Sequence, residues 1–201
     1  WYLAMGDSLA AGYQPGQGDD KAGGYVGGVL DAVRTATPKT KLVNVACSGE
    51  TVVTMVGGGR CAYEEGTQLA QAVEFLHAHS RTTRLVTIDI GANDVQRCVS
   101  RAPLAIDFAC IQAVAQQSVA LQAALNTVIA QSAASVGADV ADVSTAFRST
   151  VTAPVLVPEL GGVVPTNVAT ICDCTWMCRL GDIHANDAGY AVMSGAVAAR
   201  L

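Results

Sequence analysis

Charge is scarce in this 201-residue chain: Asp, Glu, Lys and Arg together make up 14% of it. Basic residues are scarcer still, 12 against 17 acidic ones, so the formal net charge is −5 and the pI is near 5.0. No excess of Lys and Arg is present to neutralise phosphates, which argues against a nucleic-acid or anionic-membrane surface. Aromatic residues are only 5%, so few rings are available for a sugar to stack on. With three histidines in all, the candidates for a base near neutral pH are few. A long uninterrupted apolar run is also missing. The Ala/Val/Leu-rich segment is broken by Asp107, Gln112, Gln116, Gln117 and Gln122, so no stretch reaches the length needed to cross a bilayer.

The chain has abundant apolar material, 51% hydrophobic residues with a mean hydropathy of +0.35. That balance is opposite to a disordered chain's and sufficient for a real core. The length suits one domain over residues 1–201. Seven cysteines are many for a cytosolic enzyme of this size and too few for a small disulfide scaffold. They lie in three groups: Cys47 with Cys61, Cys98 with Cys110, and Cys172, Cys174 and Cys178 together. Local loops closed by disulfides imply an oxidising, extracellular setting, each bridge contributing on the order of 3 kcal/mol. A metal site at Cys172, Asp173, Cys174 and Cys178 is the rival reading, but zinc sites combine two separated ligand pairs and a second pair is not apparent. The chain begins at Trp1 with no cationic and apolar leader, so the expectation is a secreted protein whose signal peptide has been removed.

Strands and helices alternate. Tyr2–Met5 reads as a buried strand stopped by Gly6-Asp7-Ser8, Lys41–Val45 as a second, Leu85–Ile90 as the clearest, and Asp139–Val143 as a further short one. Helices are expected at Gly24–Val33, Thr67–His79 and Asn186–Arg200. A long helical pattern runs from Pro103 to about Ser135, with Ile111, Val114, Leu121, Leu125 and Val128 on one stripe and Gly137 at its stop. Thr145–Leu180 is rich in Gly, Pro, Thr and Cys with little periodicity, a length that is usually functional or stapled. Alternation of this kind gives an α/β fold with a parallel sheet covered on both faces. Ligands bind such sheets beyond the carboxyl ends of the strands. Ser8, Ser48-Gly49 and Asn93-Asp94 all fall there.

His77 and His79 are two apart on a helix, face different ways, and lack HExxH spacing, so they read as surface residues. His184 stands two residues after Asp182. In an extended segment both side chains lie on one side, and the carboxylate can orient one ring nitrogen while the other acts as base. Taken alone the pair could equally be a helix cap beside a surface histidine. Ser8 supplies a hydroxyl that needs such a base to become a nucleophile, though Asp7 and Ser8 could also merely cap a helix beginning there. The segment Gly6-Asp7-Ser8-Leu9-Ala10 lacks the second Gly of the G-x-S-x-G elbow, so an α/β-hydrolase is not read here. Gly49 permits close approach of a backbone N–H, and Asn93 offers a side-chain amide; both are also ordinary turn residues. Gly57-Gly58-Gly59 is not a phosphate loop, because no Lys stands beyond it in the required place.

In combination these segments are more specific. Gly6-Asp7-Ser8-Leu9, Asn44-Val45-Ala46-Cys47-Ser48-Gly49, Gly91-Ala92-Asn93-Asp94 and Asp182-Ile183-His184 occur in an order that resembles the SGNH hydrolase family, the GDSL-type lipases and esterases. The resemblance spans Tyr2 to about Tyr190, and His184-Ala185-Asn186-Asp187-Ala188-Gly189-Tyr190 looks like the family's last block, with Ala185 where many members have Pro. It implies a three-layer α/β/α sandwich with a central parallel sheet, flavodoxin-like. It also implies Ser8 as nucleophile, His184 as base, Asp182 as its orienting partner, and an oxyanion hole of the Ser8 and Gly49 amides with the Asn93 side chain. Asp7 matches a position treated as structural.

The expected reaction is carboxylic ester hydrolysis, with neither cofactor nor metal and a monomer acting on a small-molecule or lipid-like ester. Val155, Leu156, Val157, Leu160, Val163 and Val164 make one loop apolar, which favours an apolar acyl group over the alternative of that loop merely packing on the core. A carbohydrate acetyl-esterase or thioesterase on the same machinery is the alternative, followed by a non-catalytic binding module of this fold. None of the seven cysteines falls on a site position. Expected bridges are Cys47–Cys61 and Cys98–Cys110, with Cys178 joined to Cys172 or Cys174 and the other left free.

Overall fold

Tyr2, Leu3 and Ala4 have no exposed surface, as a strand covered on both faces requires. The computed structural model describes residues 1–95, 99–101, 104–106, 124, 126–158 and 161–201. Tyr2–Gly6 forms β1, flanked by β2 (Leu42–Asn44) and β3 (Leu85–Asp89) in the parallel order β2-β1-β3. Leu3 pairs with Val43 on one side and with Val86 on the other. Three of the four strands expected from the sequence thus form one sheet.

Helix α1 (Gly24–Ala36) places Tyr25, Val26, Val29, Leu30 and Val33 on one buried stripe. Each such side chain contributes roughly 1.5–3 kcal/mol on burial. The stripe packs with Tyr2, Ala4 and, from α9 (Asp187–Ala198), Tyr190 and Met193. The opposite face carries Leu3 and Met5 against Met55 of α2 (Val52–Gly57) and Ala72, Phe75 and Leu76 of α3 (Gln68–His79). Helices on both faces of a parallel sheet make the three layers. At the end of β1, Gly6 (φ +141°) allows β3 to close in, since a Cβ there would stand 2.1 Å from the Asp89 carbonyl oxygen.

Beyond β3 come α4 (Ala92–Val95), then β4 (Val99–Arg101) paired antiparallel with β5 (Leu104–Ile106). The helix expected from Pro103 therefore does not begin there: Leu104–Ile106 satisfies its backbone across a strand pair. Residues 126–135 are helical (α5), and Gly137 at φ +69° stands just past the stop, where such a residue ends a helix. Of the expected stripe, Val128 is exposed, while Ile111, Val114, Leu121 and Leu125 lie outside the described residues.

The strand expected at Asp139–Val143 is absent. Asp142 instead accepts the Thr145 backbone N–H at 2.9 Å and the Thr145 hydroxyl at 2.7 Å, capping helix α6 (Val143–Ala146). A local side-chain cap thus outcompetes the alternating pattern. Thr145–Leu180 carries more regular structure than its composition indicates. It contains the β6–β7 hairpin (Pro154–Val157 with Gly162–Pro165), α7 (Thr166–Cys174) and α8 (Met177–Leu180).

Candidate active site

The carboxyl edge of the sheet gathers the turns that carry the candidate residues. Ser8 comes after β1 in a series of turns rather than entering a helix; Asp7 Oδ1 accepts the Leu9 N–H at 3.0 Å and shapes the first of them. Cys47 N donates to the Gly6 carbonyl at 3.1 Å, so the Ser48-Gly49 turn stays against the end of β1. Asn93 lies in α4, directly after β3. His184 comes from the segment ahead of α9, whose N-cap Asn186 accepts the Gly189 N–H and donates to the Asp173 and Thr175 carbonyls at 2.9 and 3.2 Å.

Ser8 and His184, 176 residues apart in sequence, meet with Oγ 3.0 Å from Nε2. On the other side of the ring, Nδ1 lies 2.5 Å from Asp182 Oδ1, which also accepts the His184 backbone N–H at 2.8 Å. With the Nδ1 proton directed at the carboxylate, Nε2 is left able to accept from the serine hydroxyl. The imidazole and carboxylate are partly exposed and Ser8 is buried. Tyr13 packs its ring against His184 at a centroid distance of 4.4 Å, and the Trp176 N–H donates to the His184 carbonyl at 3.0 Å. Trp176 Nε1 in turn donates to Gln14 Oε1 at 2.6 Å, and the Tyr190 hydroxyl donates to the Tyr13 carbonyl at 2.7 Å. No sequence signal marked Tyr13, Gln14 or Trp176, because they gather around His184 only once the chain is folded.

Among the described residues, the backbone N–H groups of Ser8 and Gly49 donate to no protein acceptor. Asn93 Nδ2 donates to the Glu50 carbonyl at 2.9 Å and stands 3.3 Å from Asp7 Oδ2. The second contact is long, so that N–H is the one an approaching oxygen can claim.

A buried polar network ties these turns together, and sequence reading missed it. Gln68, Glu50 and Asp7 have no exposed surface. Gln68 Oε1 accepts the Gly6 N–H at 2.6 Å, while its Nε2 faces the Gly6 carbonyl, Glu50 Oε2 and the Tyr63 hydroxyl, each at 3.0 Å. Tyr63 donates to the Val45 carbonyl at 3.0 Å. Asp89 Oδ2 is buried without a hydrogen-bond partner among the described residues. Burial, and then the neighbouring Asp7 charge, push its carboxyl up to about 7.

Disulfides join Cys47 to Cys61 and Cys172 to Cys178, leaving Cys174 free and buried. Burial, reinforced by Asp173, raises its thiol's pKa. Since Cys172 and Cys178 are bonded to each other, neither is a thiolate ligand for a metal. Cys98, Cys110 and Leu160 lie outside the described residues. The β6–β7 hairpin buries Val157 and exposes Leu156 and Val163. Among the described residues no helix is long and apolar enough to cross a membrane.

Residues 4–192 match the sequence profile of the GDSL-like lipase/acylhydrolase family. Among solved structures, an acetyl xylan esterase from Geobacillus stearothermophilus has a similar fold, with a TM-score of 0.51 and 18% identity over 98% of this chain and 91% of that one. Among curated protein sequences none is similar enough to count as a match.

Proposed function

Because the chain belongs to the GDSL-like lipase/acylhydrolase family, a group of hydrolases acting on esters, we propose that it cleaves carboxylic esters through an acyl-enzyme on Ser8. The observation that carries this reading is the line Ser8 Oγ, His184 Nε2, His184 Nδ1, Asp182 Oδ1, with contacts of 3.0 and 2.5 Å. His184 takes the hydroxyl proton as Ser8 Oγ bonds to the carbonyl carbon. Asp182 holds the ring and stabilises the imidazolium. The carbonyl oxygen, now an anion, sits among the Ser8 N–H, the Gly49 N–H and Asn93 Nδ2, the last turning away from Asp7. Such donors lower the barrier because they are already aimed where charge develops. The C–O bond then breaks and the alcohol leaves with the His184 proton. Water, deprotonated by the same nitrogen, releases the acid and restores Ser8.

An apolar acyl group is the favoured substrate part. Val52, Val53 and Val56 of α2, a few residues past Gly49, are 49%, 71% and 59% exposed. Release of an acetyl group from a carbohydrate is the second reading; the similar acetyl xylan esterase fold favours it. Two disulfides suit a protein that works outside the cell.

A panel of p-nitrophenyl esters of increasing chain length, beside acetylated sugars, tests this with wild type and Ser8→Ala in parallel. Expected is a preference for an apolar acyl chain over acetyl and loss of roughly 10³-fold or more in Ser8→Ala. Undiminished turnover in Ser8→Ala would overturn the mechanism, and a preference for acetylated sugars would favour the second reading.

A further inference from the structure

Gly49 has φ +82°, and a Cβ placed on it would lie 2.3 Å from Arg60 Nη2, 2.6 Å from Cζ and 2.7 Å from Nε. Three guanidinium atoms at nearly one distance mean that the group lies flat across the glycine. Nε donates to the Ser48 carbonyl at 2.9 Å, which fixes the plane. The next residue, Cys61, is bonded to Cys47, so the backbone beneath Arg60 is clamped to the same turn. Among the described residues Arg60 makes no ion pair, and its Nη groups have no acceptor. The side chain is exposed.

A long cationic side chain on the surface of an acidic protein would ordinarily move freely in water or meet a carboxylate. Arg60 does neither. It is held by a carbonyl and a disulfide across a residue whose N–H donates to no described acceptor. Bond lengths place Nη2 within about 5 Å of the Gly49 nitrogen. The two Nη groups present the planar fork that fits the paired oxygens of a carboxylate or phosphate.

We infer that Arg60 is a specificity residue: it receives an anionic oxygen group, a carboxylate or phosphate, carried by the substrate within a few bonds of the scissile carbonyl. The inference rests on the esterase reading and deepens it, because the Gly49 amide and the Arg60 fork then hold the same molecule. A neutral acyl chain leaves the fork in water and gains nothing from it. An arginine that only props the Ser48-Gly49 turn would treat charged and neutral esters alike.

The test compares kcat/KM for esters that differ only in charge. Monoethyl succinate against ethyl succinamate puts the charge on the acyl side; the butyryl ester of glycolate against that of glycolamide puts it on the alcohol side. In wild type the carboxylate is preferred in at least one pair, and that pair shows where the anionic group sits. In R60Q the charged-to-neutral ratio falls about tenfold, the scale of a charge-assisted contact at a partly exposed site. It recovers in part in R60K, which keeps the charge without the fork. Raising the salt concentration narrows the wild-type ratio. A ratio unchanged by R60Q in both pairs, while the neutral esters are still cleaved, overturns this inference alone. Failure of the wild type to cleave any of the four esters while it cleaves p-nitrophenyl esters overturns this inference alone; failure on both sets overturns the esterase reading with it.

Discussion

The Asn93 side-chain amide and the Glu50 carbonyl meet at 2.9 Å, a hydrogen bond that joins the turn after β3 to the turn after β2. The same nitrogen lies 3.3 Å from Asp7 Oδ2, beside the Ser8 turn. On the proposed mechanism this side chain has two jobs, to hold the two turns together and to offer an N–H to a developing oxyanion. Asn93→Ala is expected to lower kcat by roughly 10²–10³ with a smaller change in KM, since the contact strengthens as charge appears. Steady-state kinetics on a single ester separate the two constants. A KM effect alone would leave Asn93 as a brace only.

Gln68 predicts a stability effect in place of a rate effect. Its amide satisfies both backbone groups of Gly6 and one oxygen of the fully buried Glu50. Gln68→Leu would keep the volume, leave the Gly6 N–H without its acceptor and leave Glu50 Oε2 only the Tyr63 hydroxyl at 3.3 Å, so the expected loss is roughly 2–5 kcal/mol. The urea unfolding midpoint reads it. A midpoint equal to wild type would mean that Glu50 and Gly6 find other partners.

Asp89 gives stability a pH dependence of known sign. Its folded carboxyl titrates at about 7, above the ordinary 3.8, so between those values the native state holds a proton the unfolded chain has released. Unfolding free energy from this group therefore falls as pH rises from about 4 to about 7, then levels. Asp89→Asn has no proton to lose and should gain on wild type through that window, by on the order of 2–4 kcal/mol at its upper end. Urea unfolding of both proteins at about pH 4, 5.5 and 8 measures the difference. A difference that does not change with pH would show that folding leaves the Asp89 carboxyl at its ordinary value.

The parts of this molecule that are legible in its sequence are those written locally. The strands at Tyr2–Gly6 and Leu85–Asp89 are short apolar runs ended by glycine or turn residues, and the candidate residues sit just past their ends, where a parallel sheet puts its ligands. Asp182 and His184 are readable because two residues of extended chain suffice to bring them together. Glu50, Gln68 and Arg60 carry no such local mark. Gln68 reaches Gly6 across 62 residues and Glu50 across 18, so no periodicity reveals it. Arg60 matters only because the Cys47–Cys61 bridge folds it back over Gly49. At Asp139–Val143 the pattern points the wrong way, because one carboxylate capping Thr145 outweighs a few alternating residues.

Ser8, activated by His184 across the 3.0 Å contact, is the proposed nucleophile. Treatment of the protein with a fluorophosphonate, with peptide mass mapping of the product, tests it directly. The expected result is one stoichiometric adduct on Ser8, absent from Ser8→Ala and strongly slowed in His184→Ala. An adduct on any other residue, or labelling of Ser8 at the same rate without His184, would contradict it.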